Sequence, residues 1–129
     1  MLEAVGVTKS YATPQGLLPI LKGVELTLWP NTTTALMGES GSGKSTLLHL
    51  LAGLDDADAG EILLDGEPLS SLPDAARAKL RREAVGVVFQ QFNLIQSLTV
   101  ADNLAFHARL AGRFDRAWTD ALAARLRLA

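Results

Sequence analysis

The residues best suited to chemistry lie in one glycine-rich stretch, MGESGSGKST, which spans residues 37–46. It contains three glycines, three serines, a lysine and a threonine, a composition too flexible for a helix and too small for a core. The spacing G-x-x-x-x-G-K-[ST] is met by four residues: Gly38, Gly43, Lys44 and Ser45. With a strand before it and a helix after it, this pattern indicates a phosphate-binding loop rather than a surface turn.

The residue types in this stretch suit the binding of a nucleotide. Glycines let successive backbone N–H groups turn inward, so the amides of residues 41–46 would form a concave nest for phosphate oxygens. Lys44 can reach the β- and γ-phosphates, and the hydroxyl of Ser45 suits Mg²⁺. The predicted phosphate contacts are Gly38, Ser40, Gly41, Ser42, Gly43, Lys44, Ser45 and Thr46.

The flanking sequence predicts the elements that must position this loop. The β-branched run TTTALM (residues 32–37) predicts a strand before it, and KSTLLHLLAGL (residues 44–54) predicts a short buried helix after it. Gly53 is expected to end that helix. The apolar residues expected to bury the helix are Leu47, Leu48, Leu50 and Leu51.

Further strands and helices alternate along the rest of the chain. LEAVGVTKSY (residues 2–11) and LKGVELTLW (residues 21–29) predict strands separated by the Pro/Gly stretch TPQGLLP. Asp65-Gly66 predicts a two-residue hairpin turn, and AVGVVF (residues 84–89) predicts a strand buried on both faces. Helices are expected from Pro73 to the basic run before residue 84, over residues 100–112, and over residues 115–129.

Isolated aromatic and imidazole side chains are expected to have structural roles. Trp29 stands at a strand end and His49 lies on the helix after the loop, so both are expected to pack. His107 lies in an amphipathic helix with no second ligand nearby in the sequence, so no histidine metal site is predicted. Arg125 and Arg127 are expected to form a solvated helix face.

The charge, cysteine content and apolar runs of the chain argue against several classes of protein. The chain has 129 residues and a formal net charge of −2, so no global positive field favours nucleic acid. It has no cysteine, which excludes disulfides and thiolate metal sites. The first residues lack the order of a signal peptide, and no apolar run approaches the length of a membrane span. A soluble, cytoplasmic protein is expected.

Two long segments carry a family resemblance. The first runs from YATPQGLLP through the glycine-rich loop to EILLDGEPL, and the second is LRREAVGVVFQQFNLIQSLTVADNL. Together they resemble the nucleotide-binding subunit of an ATP-binding cassette (ABC) transporter, closest to the lipoprotein-release and macrolide-export type. This resemblance implies an α/β P-loop NTPase core with an antiparallel β subdomain and the start of a helical subdomain. It also implies ATP and Mg²⁺ as cofactors.

The resemblance assigns roles to residues outside the loop. Tyr11 stands where the family has an aromatic that stacks on adenine, although it could simply pack at a strand end. Gln90, rather than Gln91, matches the family glutamine that binds Mg²⁺ or positions the attacking water; alternatively it is a solvated residue leaving a strand. Residues 92–98, FNLIQSL, resemble the segment that contacts the transmembrane subunit, or they form part of a helical core.

Several family motifs do not occur in these residues. The LSGGQ signature, the Walker B strand with its Asp-Glu pair and the switch histidine are all absent from the sequence. Residues 1–129 are therefore expected to be the N-terminal portion of the ATP-binding domain and to lack ATPase activity alone. Another P-loop class remains an alternative, but a GTPase would show N-K-x-D, which is absent.

The resemblance also implies partners and a location for the intact parent. Two such domains would dimerise head to tail, and each would bind a transmembrane subunit at the inner face of the cell membrane. In this arrangement ATP hydrolysis powers transport. The alternative is a truncated module that holds ATP weakly or not at all and never turns it over.

Overall fold

The chain forms two compact units, which are considered separately. The computed structural model describes residues 1–128. One unit is Met1–Arg81 and the other begins at Arg82. The first contains the glycine-rich loop, and the second contains Gln90 and residues 92–98.

The first unit is built on a four-stranded antiparallel sheet with the order β2-β1-β3-β4. The strands are β1 (Leu2–Thr13), β2 (Gly16–Leu28), β3 (Ala59–Leu64) and β4 (Glu67–Pro68). The two predicted N-terminal strands are confirmed, but the separator between them is shorter than expected. Leu17 and Leu18 pair with β1, because β1 continues to Thr13 and supplies their partners. Pro19 is tolerated because β2 is an edge strand that also has a register irregularity near this residue.

A close approach of two glycines allows β3 to pair with β1. Gly60 has φ of 79°, and a Cβ atom placed on it would lie 2.3 Å from the carbonyl oxygen of Gly6. Gly6 itself has φ of 58° at an irregularity in β1. No side chain fits at residue 60 without moving the backbone of β1.

Helix α1 (Lys44–Leu51) packs its apolar face against this sheet. Its buried leucines join a core of sheet residues, and the fully enclosed core comprises Ala4, Val7, Leu21, Leu47, Leu50, Leu51, Ile62 and Leu69. The expectation that Leu48 is buried is wrong, because the helix packs against the sheet on one side only and Leu48 is 55% exposed.

The end of α1 confirms the predicted stop at Gly53. This glycine has φ of 66°, and its N–H donates to the carbonyl of Leu50 at 3.0 Å. The next amide, of Leu54, donates to the carbonyl of His49 at 2.9 Å. These two bonds form the Schellman motif, which satisfies carbonyls that the helix leaves open.

The predicted hairpin and the following helix are also confirmed. Asp65 and Gly66 both have positive φ, 50° and 85°, as a type I′ turn between β3 and β4 requires. A short 3-10 turn (Leu69–Ser71) leads into helix α2 (Asp74–Glu83). In the first unit, Arg77 of α2 forms ion pairs with Asp56 and Asp74.

The second unit contains two helices that contact each other, α3 (Val100–Leu110) and α4 (Arg116–Arg125). Both predicted helices are confirmed. Each has a side-chain N-cap: Thr99 accepts from the amide of Asp102, and Asp115 accepts from the amide of Trp118. Arg125 and Arg127 are exposed as expected, although Arg127 lies beyond the end of α4.

Two predicted strands do not form. TTTALM and AVGVVF both have irregular backbone, and Val88, expected to be buried, is completely exposed. Neither segment pairs with a strand among residues 1–128. Since a strand needs hydrogen-bonded neighbours to satisfy its backbone, a β-rich composition alone does not produce one.

Two packing expectations are also wrong. Trp29 is 63% exposed, because β2 ends at Leu28 and the chain turns away at Pro30 and Asn31. His49 is exposed, because it lies on the solvent side of α1, opposite the buried face.

Candidate functional site

The glycine-rich loop is fixed in place by contact between Gly43 and strand β2. Gly43 is the N-cap residue, directly before α1, and it has φ of 96°. A Cβ atom on Gly43 would lie 2.8 Å from Cγ2 of Ile20 and 2.9 Å from Cδ2 of Leu21. The absence of a side chain therefore lets the start of α1 lie directly against the sheet.

The other two glycines of the loop are needed for different reasons. Gly41 has φ of 81° and open space around its Cβ position, so the backbone conformation alone favours glycine there. Gly38 lacks a positive φ, but a Cβ on it would lie 2.7 Å from Oγ of Ser42. The amide of Ser42 donates to the carbonyl of Glu39 at 3.2 Å, which tightens the turn between these glycines.

Lys44 folds back over the loop. Its ammonium donates to the carbonyl oxygens of Gly38 at 2.7 Å and Glu39 at 2.6 Å. A longer contact, 3.3 Å, reaches the hydroxyl of Ser42. The ammonium of Lys44 thus bonds to neutral oxygens of the loop and not to a carboxylate. Its positive charge therefore remains available to an anion.

The N-terminus of α1 has no side-chain cap. The first bond within the helix runs from the amide of Leu47 to the carbonyl of Gly43, so the preceding amides have no partner within the helix. Gly43 contributes no cap and the first turn has no acidic residue, whereas both α3 and α4 are capped. Free amides, the helix dipole and Lys44 together give this end of α1 the chemistry that suits an anionic ligand.

The remaining predicted loop contacts are accessible to solvent to different degrees. The hydroxyl-bearing residues Ser40 and Ser45 are exposed, and Thr46 is half-buried in the first turn of α1. Ser45 follows Lys44 directly, so its hydroxyl is available at the helix end. The residues fit a bound triphosphate, because donors and one cation converge on an uncapped helix end.

Tyr11 lies on β1, outside the loop. It pairs with Leu18 of β2, is 41% exposed, and has the ammonium of Lys9 at 5.6 Å from its ring centre. The exposed ring leaves one aromatic surface available for stacking.

The segment after α1 is tied to the same part of β1. Lys9 donates to the backbone carbonyl of Asp56 at 2.6 Å and to Oδ1 of Asp55 at 3.2 Å. The amide of Ser10 donates to the carboxylate of Asp58 at 2.6 Å. The hydrogen bond from the backbone N–H of Asp56 holds the pKa of Asp55 below its ordinary value, with Lys9 adding to this effect and burial opposing it.

Gln90 lies in the second unit, in an irregular and exposed part of the chain. It follows the segment that was expected to be a strand and directly precedes residues 92–98. Its side chain is free in the described contacts of this unit, which is compatible with either the ligand role or the solvated alternative.

Residues 92–98 form an exposed segment and not a helical core. Phe92 is 92% exposed and Leu94 is 65% exposed. The segment is anchored by Asn103 of α3, whose side chain bonds to the backbone of Ile95 and Leu98. The sequence analysis did not predict a role for Asn103. The available signal was a polar residue within an amphipathic helix, four residues after the N-cap Thr99.

The described residues were compared with the requirements of a metal-binding cluster and of a membrane-spanning helix. Between Met1 and Leu128 no cluster of three or more His, Asp or Glu side chains could hold a metal ion by itself. No helix in the same range is both long and apolar enough to cross a membrane.

The sheet, α1 and the glycine-rich loop before it are consistent with part of a P-loop NTPase fold. The profile of the ABC transporter family matches residues 21–129, and the chain belongs to that family.

Similar proteins agree with this assignment. The uncharacterized ABC transporter ATP-binding protein YbbA of Escherichia coli K12 is 49% identical over 112 residues, covering 87% of this chain and 49% of YbbA. The lipoprotein-releasing system ATP-binding protein LolD of Xanthomonas oryzae pv. oryzae is 40% identical over 113 residues, covering 88% of this chain and 46% of LolD.

The fold matches a solved cassette. The dimeric structure of MJ0796, a bacterial ABC transporter cassette, superimposes with a TM-score of 0.86 and 34% identity, covering 97% of this chain and 55% of MJ0796. A dimeric post-hydrolysis state of MJ0796 bound to ADP and Pi superimposes with a TM-score of 0.84 and 35% identity. This match covers 92% of this chain and 52% of MJ0796. The chain thus spans about half the length of these relatives.

Proposed function

We propose that this chain forms part of the ATP-binding subunit of an ABC transporter, in which MgATP binding and hydrolysis drive membrane transport. The observation that carries the proposal is the uncapped N-terminus of α1 with Lys44 beside it. A helix end that offers free amides, a dipole and a cation favours an anionic ligand, and nucleotide phosphates would supply one. Family membership and the ADP-bound relative support ATP as the nucleotide.

The proposed roles follow from the position of each residue. The loop amides and Lys44 would hold the β- and γ-phosphates, and the hydroxyl of Ser45 would bind Mg²⁺ together with phosphate oxygens. Mg²⁺ supplies charge neutralisation to the phosphates when it is bound. Gln90 would add an amide oxygen or orient the attacking water, and Tyr11 would stack on the base.

The proposed partners are a transmembrane subunit and a second cassette. Residues 92–98 have exposed apolar side chains that would contact the transmembrane subunit. This contact would place the protein at the inner face of the cell membrane. The dimeric state of MJ0796 supports pairing with a second cassette, and we propose a head-to-tail arrangement for this pair. Both units of this chain would belong to one ATP-binding domain.

Residues 1–129 alone are expected to have no ATPase activity. Phosphoryl transfer needs Mg²⁺ held from two sides and a group that positions water. The sequence contains Lys44, Ser45 and Gln90 but no Walker B Asp-Glu pair and no LSGGQ signature. The alternative function is therefore a nucleotide-binding module without turnover.

The test is MgATP hydrolysis by the intact protein carrying Lys44→Ala. Hydrogen bonds from a charged group contribute about 1.5–3 kcal/mol, but the wild-type lysine gives up three loop contacts to reach phosphate. We therefore expect the variant to lose about 1.5 kcal/mol of transition-state stabilisation, which lowers kcat/KM roughly tenfold or more.

The matched control is Lys22→Ala, which removes an exposed lysine of β2 and leaves the loop intact. Its kcat/KM should stay within about twofold of the wild-type value. Normal turnover by the Lys44 variant would refute the assignment of this loop. A wild-type protein that binds MgATP but never releases phosphate would favour the binding module.

A further inference from the structure

The side chain of Asn103 makes four hydrogen bonds to the chain just before α3. Its Oδ1 accepts from the amide of Ile95 at 2.8 Å, and its Nδ2 donates to the carbonyl of Ile95 at 3.0 Å. The same nitrogen lies 3.2 Å from the carbonyl of Leu98 and 3.0 Å from that of Thr99. Two hydrogens serve three carbonyls, so at least one hydrogen is shared.

These bonds hold a turn that has little other support. The backbone contributes one bond across the turn, from the amide of Leu98 to the carbonyl of Ile95 at 3.0 Å. The residues leading into it are exposed, including Phe92 and Leu94. Asn103 therefore links an exposed segment to the first turn of a helix that is itself capped and packed against α4.

Capping of α3 does not explain this arrangement. A helix N-terminus needs acceptors for its free N–H groups, and Thr99 already accepts from Asp102 at 3.1 Å. The Nδ2 group of Asn103 instead donates to carbonyls that precede the helix. Three of its four bonds go to the turn, at Ile95 and Leu98, and the fourth goes to the carbonyl of the N-cap residue Thr99.

We propose that Asn103 is a positioning residue that fixes the turn at Ile95–Leu98, and with it the direction in which residues 92–94 present their side chains to the transmembrane subunit. The proposal rests on the proposed function of residues 92–98 as the contact with that subunit. A segment already ordered before association loses less conformational entropy on binding. Loss of the four bonds should therefore weaken the complex.

The first test measures local order in the intact protein without any partner. Asn103→Ala removes all four bonds, and amide hydrogen exchange at Ile95 should accelerate roughly tenfold or more, equivalent to about 1.4 kcal/mol. Exchange at Ala105, buried in α3, should stay within about threefold. A general loss of stability would accelerate both sites together and would overturn the proposal.

The matched control is Asp102→Ala, one residue away on the same helix. Asp102 bonds to Thr99 and Arg109 and has no bond to the turn. This variant should accelerate exchange in the first turn of α3 and leave Ile95 near its wild-type rate. If Ile95 responds equally to both variants, the specific role of Asn103 is refuted.

The second test measures association with the transmembrane subunit that copurifies with the tagged intact protein, reconstituted in nanodiscs. Asn103→Ala should weaken binding about tenfold or more, and Asp102→Ala should change it less than about threefold. Asn103→Asp keeps the acceptor for the amide of Ile95 but loses both N–H donors and places a carboxylate beside carbonyl oxygens, so it should also weaken binding. If Asn103→Ala fails to fold, Asn103→Asp carries the binding test, and its exchange is measured at the amide of Leu98, whose bond to Ile95 closes the turn.

The outcomes distinguish a failure of the positioning role of Asn103 from a failure of the proposed partner. If both Asn103 variants bind the transmembrane subunit as tightly as the wild-type protein does, the positioning role is refuted but the proposed partner is not. A wild-type protein that copurifies with no transmembrane subunit would overturn the proposed partner and this inference with it. Faster exchange at Ile95 together with weakened binding would support both.

Discussion

Replacement of Gly43 by alanine tests how the phosphate loop is attached to the sheet. The residue has φ of 96°, and a Cβ atom would approach Ile20 and Leu21 to 2.8 and 2.9 Å. Leu21 is buried in the core and has little room to move. The variant therefore combines backbone strain with overpacking.

Gly41→Ala is the matched comparison because it carries the strain alone. Gly41 has φ of 81°, and nothing lies within 4 Å of its Cβ position. A left-handed conformation costs an L-residue about 1–2 kcal/mol, and overpacking costs about 1–3 kcal/mol. Alanine also reduces the entropy of the unfolded chain by a similar amount in both variants. We expect Gly43→Ala to be less stable than Gly41→Ala by about 1–3 kcal/mol.

The assay is urea unfolding of the intact protein without nucleotide, followed by circular dichroism. With an m-value of about 2 kcal/mol/M, the midpoints should differ by roughly 0.5–1.5 M. Omitting nucleotide prevents ligand binding from masking the difference. Coincident midpoints with equal m-values would refute the contact between Gly43 and β2 as a constraint on the loop.

Two further predictions concern groups near β1. Because the backbone bond from Asp56 lowers the pKa of Asp55, its carboxylate stabilises the fold above the unfolded value of 3.8, and this contribution is lost as the pH falls through the lower folded value. Acid unfolding of Asp55→Asn should show a shallower fall in stability below about pH 4; an unchanged slope would contradict this. Tyr11→Ala should weaken ATP and GTP about equally, up to tenfold, because stacking tolerates any purine. Competition binding would contradict the stacking role if only one nucleotide were affected.

Local sequence signals predicted much of this fold. The hairpin at Asp65-Gly66 and the helix stop at Gly53 follow from backbone preferences that act within a few residues, and both are confirmed. The glycine-rich loop was predicted from its spacing. Its placement against Ile20 and Leu21 was not predictable, since these residues are distant in sequence and meet it only after folding.

The failures share a physical cause, which is dependence on neighbours. TTTALM and AVGVVF have the composition of strands, yet a strand forms only when another strand pairs with it. The exposure of Leu48 and Trp29 depends on where the sheet ends, which apolar character alone does not specify. Likewise, the four bonds of Asn103 depend on a turn whose conformation no periodic pattern predicts.

We propose that nucleotide phosphates bind at the open N-terminus of α1. The most direct measurement is the chemical shift of backbone amides in the intact protein, recorded by NMR during titration with MgADP. We expect the largest shifts at Lys44, Ser45 and Thr46, while the capped first turns of α3 and α4 shift little. Saturable binding that leaves the amides of residues 44–46 unchanged would contradict the account.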